Sequence, residues 1–328
     1  MNRALEYSDI LIVPQKSDIR SRDEVDVSVT MAGIRFNSPI LVAPMDSIAT
    51  REFLIVLSDA GGFGFIHRFQ SNEERLDQMM DLHSRGFQFG VSVGLLDSDQ
   101  ESNIALEAAK YATIVCIDVA NGHNTHTIKS AESLVKSCEK LDLPARIMTG
   151  NIATVGGYEA LNNVRVDFVR AGIGSGSACT TRNMTGIGVP QATLINGLDV
   201  FRNTIQGIKS TLVADGGIKY PGDILKALGI GADMVMSGYL FSGAKESNGG
   251  IYRGMASKSA QEDQYGFVRS VEGIEIESLN HGESVGDIYE GIINNLKSGM
   301  SYLGVTNIAD IRNKATTIIV GSSAIKEL

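Results

Sequence analysis

Cysteine is scarce in this chain: Cys116, Cys138 and Cys179 are the only three in 328 residues, widely spaced and without a CxxC pair. An odd, scattered set argues against structural disulfides and offers neither a zinc knuckle nor a redox dithiol. Basic charge is short as well, with 29 Lys and Arg against 38 Asp and Glu and a net charge of −9. Phosphate-backbone binding relies on clustered cations, so a general nucleic-acid surface is not expected. No apolar run approaches the ~20 residues that span a bilayer. The opening MNRALEYSDILIVPQ lacks the apolar stretch of a signal peptide, and a cytoplasmic protein with no membrane partner is expected. Of five histidines only His123 and His126 are close together, without the HExxH arrangement of a helical zinc site. The GxxxxGK(S/T) pattern and a strand-borne GxGxxG are also missing, which removes a P-loop and a Rossmann fingerprint.

What is present suits a large folded core. The chain is 43% hydrophobic and 20% charged with 36 glycines, a globular rather than a disordered composition. Eight short apolar runs recur: PILVAPM (39–45), GFGFIHR (62–68), FQFGVSVG (87–94), TIVCIDVA (113–120), ARIMTGN (145–151), DFVRAGIG (167–174), TLVADGG (211–217) and MVMSGYL (234–240). Each is nearly continuous rather than alternating, as parallel strands covered on both faces require. Helix-period stretches such as SNEERLDQMMDLHSRG, ESNIALEAAKYA and PGDILKALGIGA lie between them. A doubly wound open sheet also alternates in this way. Eight even units, nearly all with polar or glycine residues at the carboxyl end (Asp46, His67, Asp118, Asn151, Gly174, Asp215, Gly238), favour a TIM (β/α)8 barrel, whose active face is that end. Residues 1–38 precede the first strand and are expected to form a short hairpin capping one end. Residues 244–285 interrupt the last β-to-α connection with a polar stretch of little helical or apolar period, expected to be a lid over the active face. With no inserted domain, residues 1–328 read as one catalytic domain without regulatory domains.

The segment Gly172 to Arg182, GIGSGSACTTR, packs poorly and suits chemistry. Glycines at 172, 174 and 176 permit close backbone approach to a ligand, and Ser177, Thr180, Thr181 and Arg182 surround one thiol with polar groups. A free thiol is only a few per cent ionised at neutral pH, so Cys179 is either an inert cysteine or a nucleophile supported by those neighbours. Cys116, inside an apolar run, reads as inert. Ser177, the Asp215-Gly216-Gly217 turn and Ser237-Gly238-Tyr239 follow strands where barrels hold phosphate with main-chain amides. Tight turns alone would use the same residues. Asp215 and Asp118, at strand tips, either accept from ribose hydroxyls or cap the following helices. Glu272, in the lid, is solvated or becomes a general acid or base on closure.

GIGSGSACTTR followed by TGIGVPQ, then ADGGIKYPGDILKALGIGADMVMSG and YRGMAS, closely resembles the inosine monophosphate dehydrogenase and guanosine monophosphate reductase family from about Tyr7 to Val320. The resemblance implies a TIM barrel whose cysteine forms a covalent adduct at the purine 2-carbon, with hydride moving to or from a nicotinamide. It makes Cys179 the nucleophile, with Thr181 and Glu272 handling protons. It implies a purine mononucleotide held by Ser177, Asp215, Gly216, Gly217, Gly238, Tyr239, Gly254, Met255, Arg269 and Gly273. It assigns Asp118, Ala120 and Asn121 to the cofactor, the carbonyls of Gly174, Gly176 and Cys179 to potassium, and a homotetramer to the assembly. The dehydrogenase branch uses an Arg-Tyr pair on a long flap and usually carries regulatory domains inserted after the second strand. Here no insertion is present, and the nearest counterpart of the pair is Gln264-Tyr265. A neutral amide replaces neither the charge nor the base chemistry of a guanidinium. CIDVANGH (116–123) and Arg269 with Glu272-Gly273 resemble the reductase branch, so NADPH-dependent reduction of GMP to IMP and ammonia is expected. A dehydrogenase without regulatory domains and an idle nucleotide-binding barrel are the alternatives. Ser175 for proline, Arg170 for lysine, Ala256 for serine and Tyr239 for a small residue depart from the pattern, while Pro44 and GFGFIHR are more like the dehydrogenase branch.

Overall fold

The computed structural model describes residues 3–205, 207, 209–248, 250–277 and 282–321. Eight parallel strands close into a barrel: Ile40–Val42, Phe63–Ile66, Gly90–Val93, Ile114–Asp118, Arg146–Ile152, Phe168–Ala171, Thr211–Asp215 and Met234–Ser237. Each of the eight apolar runs coincides with one of them, the fifth strand running one residue past its run to Ile152, and the chain is a TIM barrel. Every residue of Phe63–Ile66, Gly90–Val93, Phe168–Ala171 and Met234–Ser237 is buried. Side chains filling the barrel and side chains packing on the outer helices must both be apolar, which explains the continuous runs. Closure is completed where Val235 to Ser237 pair with Ile40 to Val42.

Helices follow the strands, and several start at side-chain caps. Ser71 and Glu74 form a reciprocal capping box at the head of Asn72–Ser84, which satisfies two amides left free by the first turn. Thr50, Ser98, Asn124 and Thr154 cap the helices Arg51–Asp59, Asp99–Tyr111, Thr125–Leu141 and Val155–Asn163. No helix among the described residues is long and apolar enough to cross a membrane.

The extension before the first strand is more than a hairpin. Val29–Met31 and Ile34–Phe36 do pair antiparallel, and buried Phe36 meets Phe63 at 5.2 Å and Phe168 at 6.3 Å in edge contacts. Both partners begin their strands, so the hairpin covers the amino-terminal mouth and leaves the carboxyl end for ligands. Arg146 Nε donates to the Ala32 carbonyl at 2.9 Å there. Ile10–Ile12, however, leaves the hairpin and pairs with Thr317–Ile319 in a separate two-stranded sheet. Long-range pairing of two three-residue strands carries no local periodicity, which is why the sequence did not reveal it.

The stretch after the eighth strand also has more structure than its polar composition suggests. Ile251–Arg253 pairs antiparallel with Glu275–Glu277, and between them Lys258–Tyr265 is helical, capped by Ser257 and ended at left-handed Gly266. Only Ala260 and Gln261 of that helix are buried, so it has too small an apolar face to show a period. Residues 249 and 278–281 of the expected lid lie outside the described residues. The helix Val285–Leu303 then returns the chain to the barrel wall.

Candidate active site

A cavity of about 490 Å³ opens at the carboxyl ends of the strands, within the range of small-molecule sites. Its floor is charged. Arg170, on the sixth strand, is buried and reaches two carboxylates on neighbouring strand tips. Its Nη1 donates to Asp118 Oδ1 at 2.6 Å, and its Nη2 and Nε donate to Asp215 Oδ2 at 2.7 and 3.1 Å. Asn151 Nδ2 donates to that same Asp215 oxygen at 2.7 Å. Burial alone would lower the Arg170 pKa, but Asp215 and Asp118 hold it well above its ordinary value. One guanidinium between two carboxylates leaves a net negative floor, and among the described residues no donor reaches Asp215 Oδ1.

The loop after the sixth strand passes so close to this floor that one glycine is obligatory. A Cβ on Gly172, whose φ is +153°, would sit 1.8 Å from the Asp215 carbonyl oxygen. The loop then turns and presents Cys179. The Cys179 thiol donates to Thr181 Oγ1 at 3.2 Å, and the Thr181 hydroxyl donates to Glu272 Oε2 at 2.9 Å. Ser270 Oγ reaches the second carboxylate oxygen at 3.4 Å. Thiol, hydroxyl and carboxylate thus form a path along which a proton can leave sulfur.

Glu272 is brought there by main-chain pairing between lid and loop. Cys179 and Gly273 form an isolated antiparallel bridge. Thr180 N donates to the Glu272 carbonyl and Ile274 N to the Ala178 carbonyl, both at 2.9 Å. Arg253 ties the lid to the barrel. It contacts Asp46 after the first strand, and its Nη1 donates to Ser259 Oγ at 3.1 Å and Asp263 Oδ2 at 2.7 Å on the lid helix. From outside, Glu6 contacts Arg182 and accepts from Gln191 N at 2.8 Å.

Ser177, Asp215, Gly216, Gly217, Gly238, Tyr239, Gly254, Met255, Arg269 and Glu272 all line the cavity with Cys179 and Thr181. Asp118 and Ala120 line it too, as do Gly174 and Gly176. Two expected ligand residues stand elsewhere. Gly273 is not on the wall but backs it, paired with Cys179. Asn121 is exposed and its Oδ1 accepts from His123 N at 3.1 Å, a turn contact off the cavity wall. Arg68, Phe69, Gln261 and Gln264 line the cavity and were not anticipated as ligand-facing residues. Arg68 directly follows a strand tip, which was a usable signal; Gln264 was marked only as the counterpart of a flap arginine, and Gln261 depends on the lid helix, which carries no apolar period.

The remaining thiols differ in kind from Cys179. Burial pushes the Cys116 thiol up to about 12 and the Cys138 thiol up to about 11. His67, at the second strand tip, is held below its ordinary value by burial, and its Nδ1 accepts from Phe69 N at 3.2 Å.

Known proteins resemble this chain over nearly its whole length. The model of the IMP dehydrogenase / GMP reductase domain matches residues 4–328. The GMP reductase of Bacillus subtilis is 33% identical over 98% of both chains. That of Lactobacillus johnsonii is 35% identical over 94% of this chain and 93% of its own, and rat GMP reductase 1 is 32% identical over 96% and 95%. A Trypanosoma brucei GMP reductase solved in complex with guanosine 5′-monophosphate has the same fold, with a TM-score of 0.87 at 21% identity over 99% of this chain and 97% of the other.

Proposed function

The chain belongs to the IMP dehydrogenase / GMP reductase family, and within it we propose that this protein reduces GMP to IMP and ammonia with NADPH. The observation that carries the reading is the Cys179–Thr181–Glu272 path. Sulfur attacks the purine 2-carbon as the thiol proton passes to Thr181 and Glu272. The Sγ–C2 bond forms, the C2–N bond breaks, and that proton leaves with the amino group as ammonia. A reduced nicotinamide, when bound, supplies the hydride that replaces sulfur at C2. Cys179 departs as thiolate and takes a proton from solvent by way of the same two residues.

Other groups take supporting roles in this reading. Asp215 Oδ1 accepts from the ribose. Ser177, Gly216, Gly217, Gly238 and Tyr239 bound the phosphate end, and Gly254, Met255 and Arg269 with Gly273 bound the purine. The wall at Asp118 and Ala120 gives a flat ring room beside the purine. Gln264 lines the cavity with its Nε2 buried and unpartnered; as a neutral amide it neither activates water nor stabilises hydroxide. That favours loss of ammonia followed by reduction over hydrolysis of the adduct.

The carbonyls of Gly174, Gly176 and Cys179 fit potassium in kind, since uncharged oxygens are the donors such ions prefer. Gly176 O already accepts from Cys179 N at 3.0 Å, so they supply part of a shell, which water or a second copy completes. A homotetramer belongs to the same proposal; Met184 and Ile187, exposed just past Cys179, offer apolar surface for it.

The test is anaerobic incubation with GMP and NADPH, following cofactor oxidation and ammonia, beside a parallel tube of IMP and NAD. Stoichiometric ammonia in the first tube is expected. NADH formation in the second tube alone would overturn the reading, as would turnover retained in Cys179→Ala.

A further inference from the structure

Gln261 lies on the inner face of the lid helix and is 7% exposed. Its amide is spent entirely on the main chain. Oε1 accepts from Arg269 N at 3.0 Å, and Nε2 donates to the Ser270 carbonyl at 2.7 Å and the Ala256 carbonyl at 3.1 Å. A primary amide has two donor hydrogens, and both are used. The Ala256 carbonyl also accepts from Glu272 N at 3.0 Å. One side chain therefore joins the helix, the turn before it and the irregular segment that leads to Glu272. Gln264, one turn further along the same helix, contrasts with it, since its Nε2 is buried without a partner among the described residues.

We propose that Gln261 is the positioning residue that registers Glu272 against Thr181, so that the lid delivers its carboxylate to the relay and not merely near it. This rests on the roles given above to Cys179, Thr181 and Glu272. Among the described residues the hydrogen bonds from the lid helix to 269–272 are those of Gln261; Arg269 and Ser270 are exposed, and the main-chain pairing to the Cys179 loop begins only at Glu272 and Gly273. Both donors and the acceptor are needed. An apolar isostere at 261 would take their partner from the Ser270 carbonyl and the Arg269 amide and leave the Ala256 carbonyl with Glu272 N alone, and a carboxylate there would face two carbonyl oxygens with no hydrogen to give.

The experiment is a double-mutant cycle on the full chain, with Gln261→Met, Gln261→Glu and Glu272→Gln alone and combined. Misplacing a reacting group by about 1 Å costs on the order of 100-fold, so kcat is expected to fall by about that much in either Gln261 variant. The KM for NADPH should stay within about twofold, since only the relay is displaced. Combining either with Glu272→Gln should add nothing beyond about twofold, because residues acting as one unit are not additive. Wild-type kcat in the Gln261 variants, or losses that multiply in the double variants, would overturn the proposal. A second readout is independent of turnover: iodoacetamide should label Cys179 several-fold faster in both variants as the lid segment loosens, and unchanged labelling would also overturn it. If one variant does not fold, the other is read. If the wild type has no reductase activity, the labelling comparison still decides the positioning claim separately from the reaction.

Discussion

The hydroxyl of Thr181 donates to Glu272 Oε2 at 2.9 Å across 91 positions of sequence. Neither residue is informative without the other: a threonine beside a cysteine is ordinary, and a glutamate in a polar connection is ordinarily solvated. Joined, they give the thiol proton a destination. Thr181→Val should keep the fold and abolish that path, lowering kcat by about 100-fold or more with GMP affinity changed only a few-fold. Steady-state kinetics alongside GMP titration checks this, and a kcat within threefold of wild type would remove Thr181 from the chemistry.

Arg170 tests the charged floor. Removing one partner from a buried, hydrogen-bonded ion pair typically costs about 3–5 kcal/mol, and here two carboxylates lose the same guanidinium. Arg170→Met should fall in that range by denaturant unfolding. Arg170→Lys should cost less, because an ammonium keeps the charge while losing the bidentate reach to Asp215. Equal stability of both variants and wild type would show that the carboxylates find other partners.

The three thiols should separate cleanly under alkylation. Cys116 and Cys138, with pKa values pushed up to about 12 and about 11 by burial, expose almost no thiolate near neutral pH. Brief iodoacetamide treatment at pH 7.5 followed by mass spectrometry should find the label on Cys179, with activity lost in proportion. Early label on Cys116 would contradict the burial described here.

The Asp46–Arg253–Asp263 link should govern how tightly the lid sits. Charge-assisted hydrogen bonds of this kind contribute about 1.5–3 kcal/mol, so Asp46→Asn is expected to weaken lid closure by roughly tenfold or more. Amide hydrogen exchange over 258–265 should quicken while the barrel strands are unaffected. Unchanged exchange in that helix would assign its anchoring to other contacts.

His67 gives a pH dependence with a defined sign. Its folded pKa is lowered, chiefly by burial, so the unfolded chain takes up a proton near pH 6.5 while the folded chain stays neutral. Stability from this group is full above about pH 6.5 and is lost as pH falls toward the lowered folded value. Protonation would also break the acceptor role of Nδ1 toward Phe69 N. Thermal melts from pH 7.5 to 5 should show a shallower acid slope in His67→Gln than in wild type; parallel slopes would exclude the residue.

The barrel was legible because its strands are buried on both faces: TIVCIDVA and DFVRAGIG announce themselves by unbroken apolarity, and polar strand tips such as Asp118 and Asp215 mark the active end. The loop around Cys179 was equally plain in its glycine and hydroxyl content. The lid's place was legible but its inner structure was not. Its helix Lys258–Tyr265 buries only two side chains, so Gln261 could not be told from a solvent-facing residue, and Gln264 stood out only as the counterpart of an arginine in the dehydrogenase branch. Arg170 stood out only as a departure from lysine; that it would be shared by Asp118 and Asp215 depends on the stagger of three strands, which no local pattern encodes. The Ile10–Ile12 pairing with Thr317–Ile319 was hidden for the same reason.

The aromatic plug formed by Phe36, Phe63 and Phe168 divides the molecule's tolerance for change. The groups proposed to react crowd one rim, whereas the opposite mouth is sealed by the hairpin. Sequence variation can therefore tune robustness at the sealed mouth while the reacting rim is left as it is. A laboratory evolution campaign seeking a hardier catalyst would do well to randomise the hairpin first.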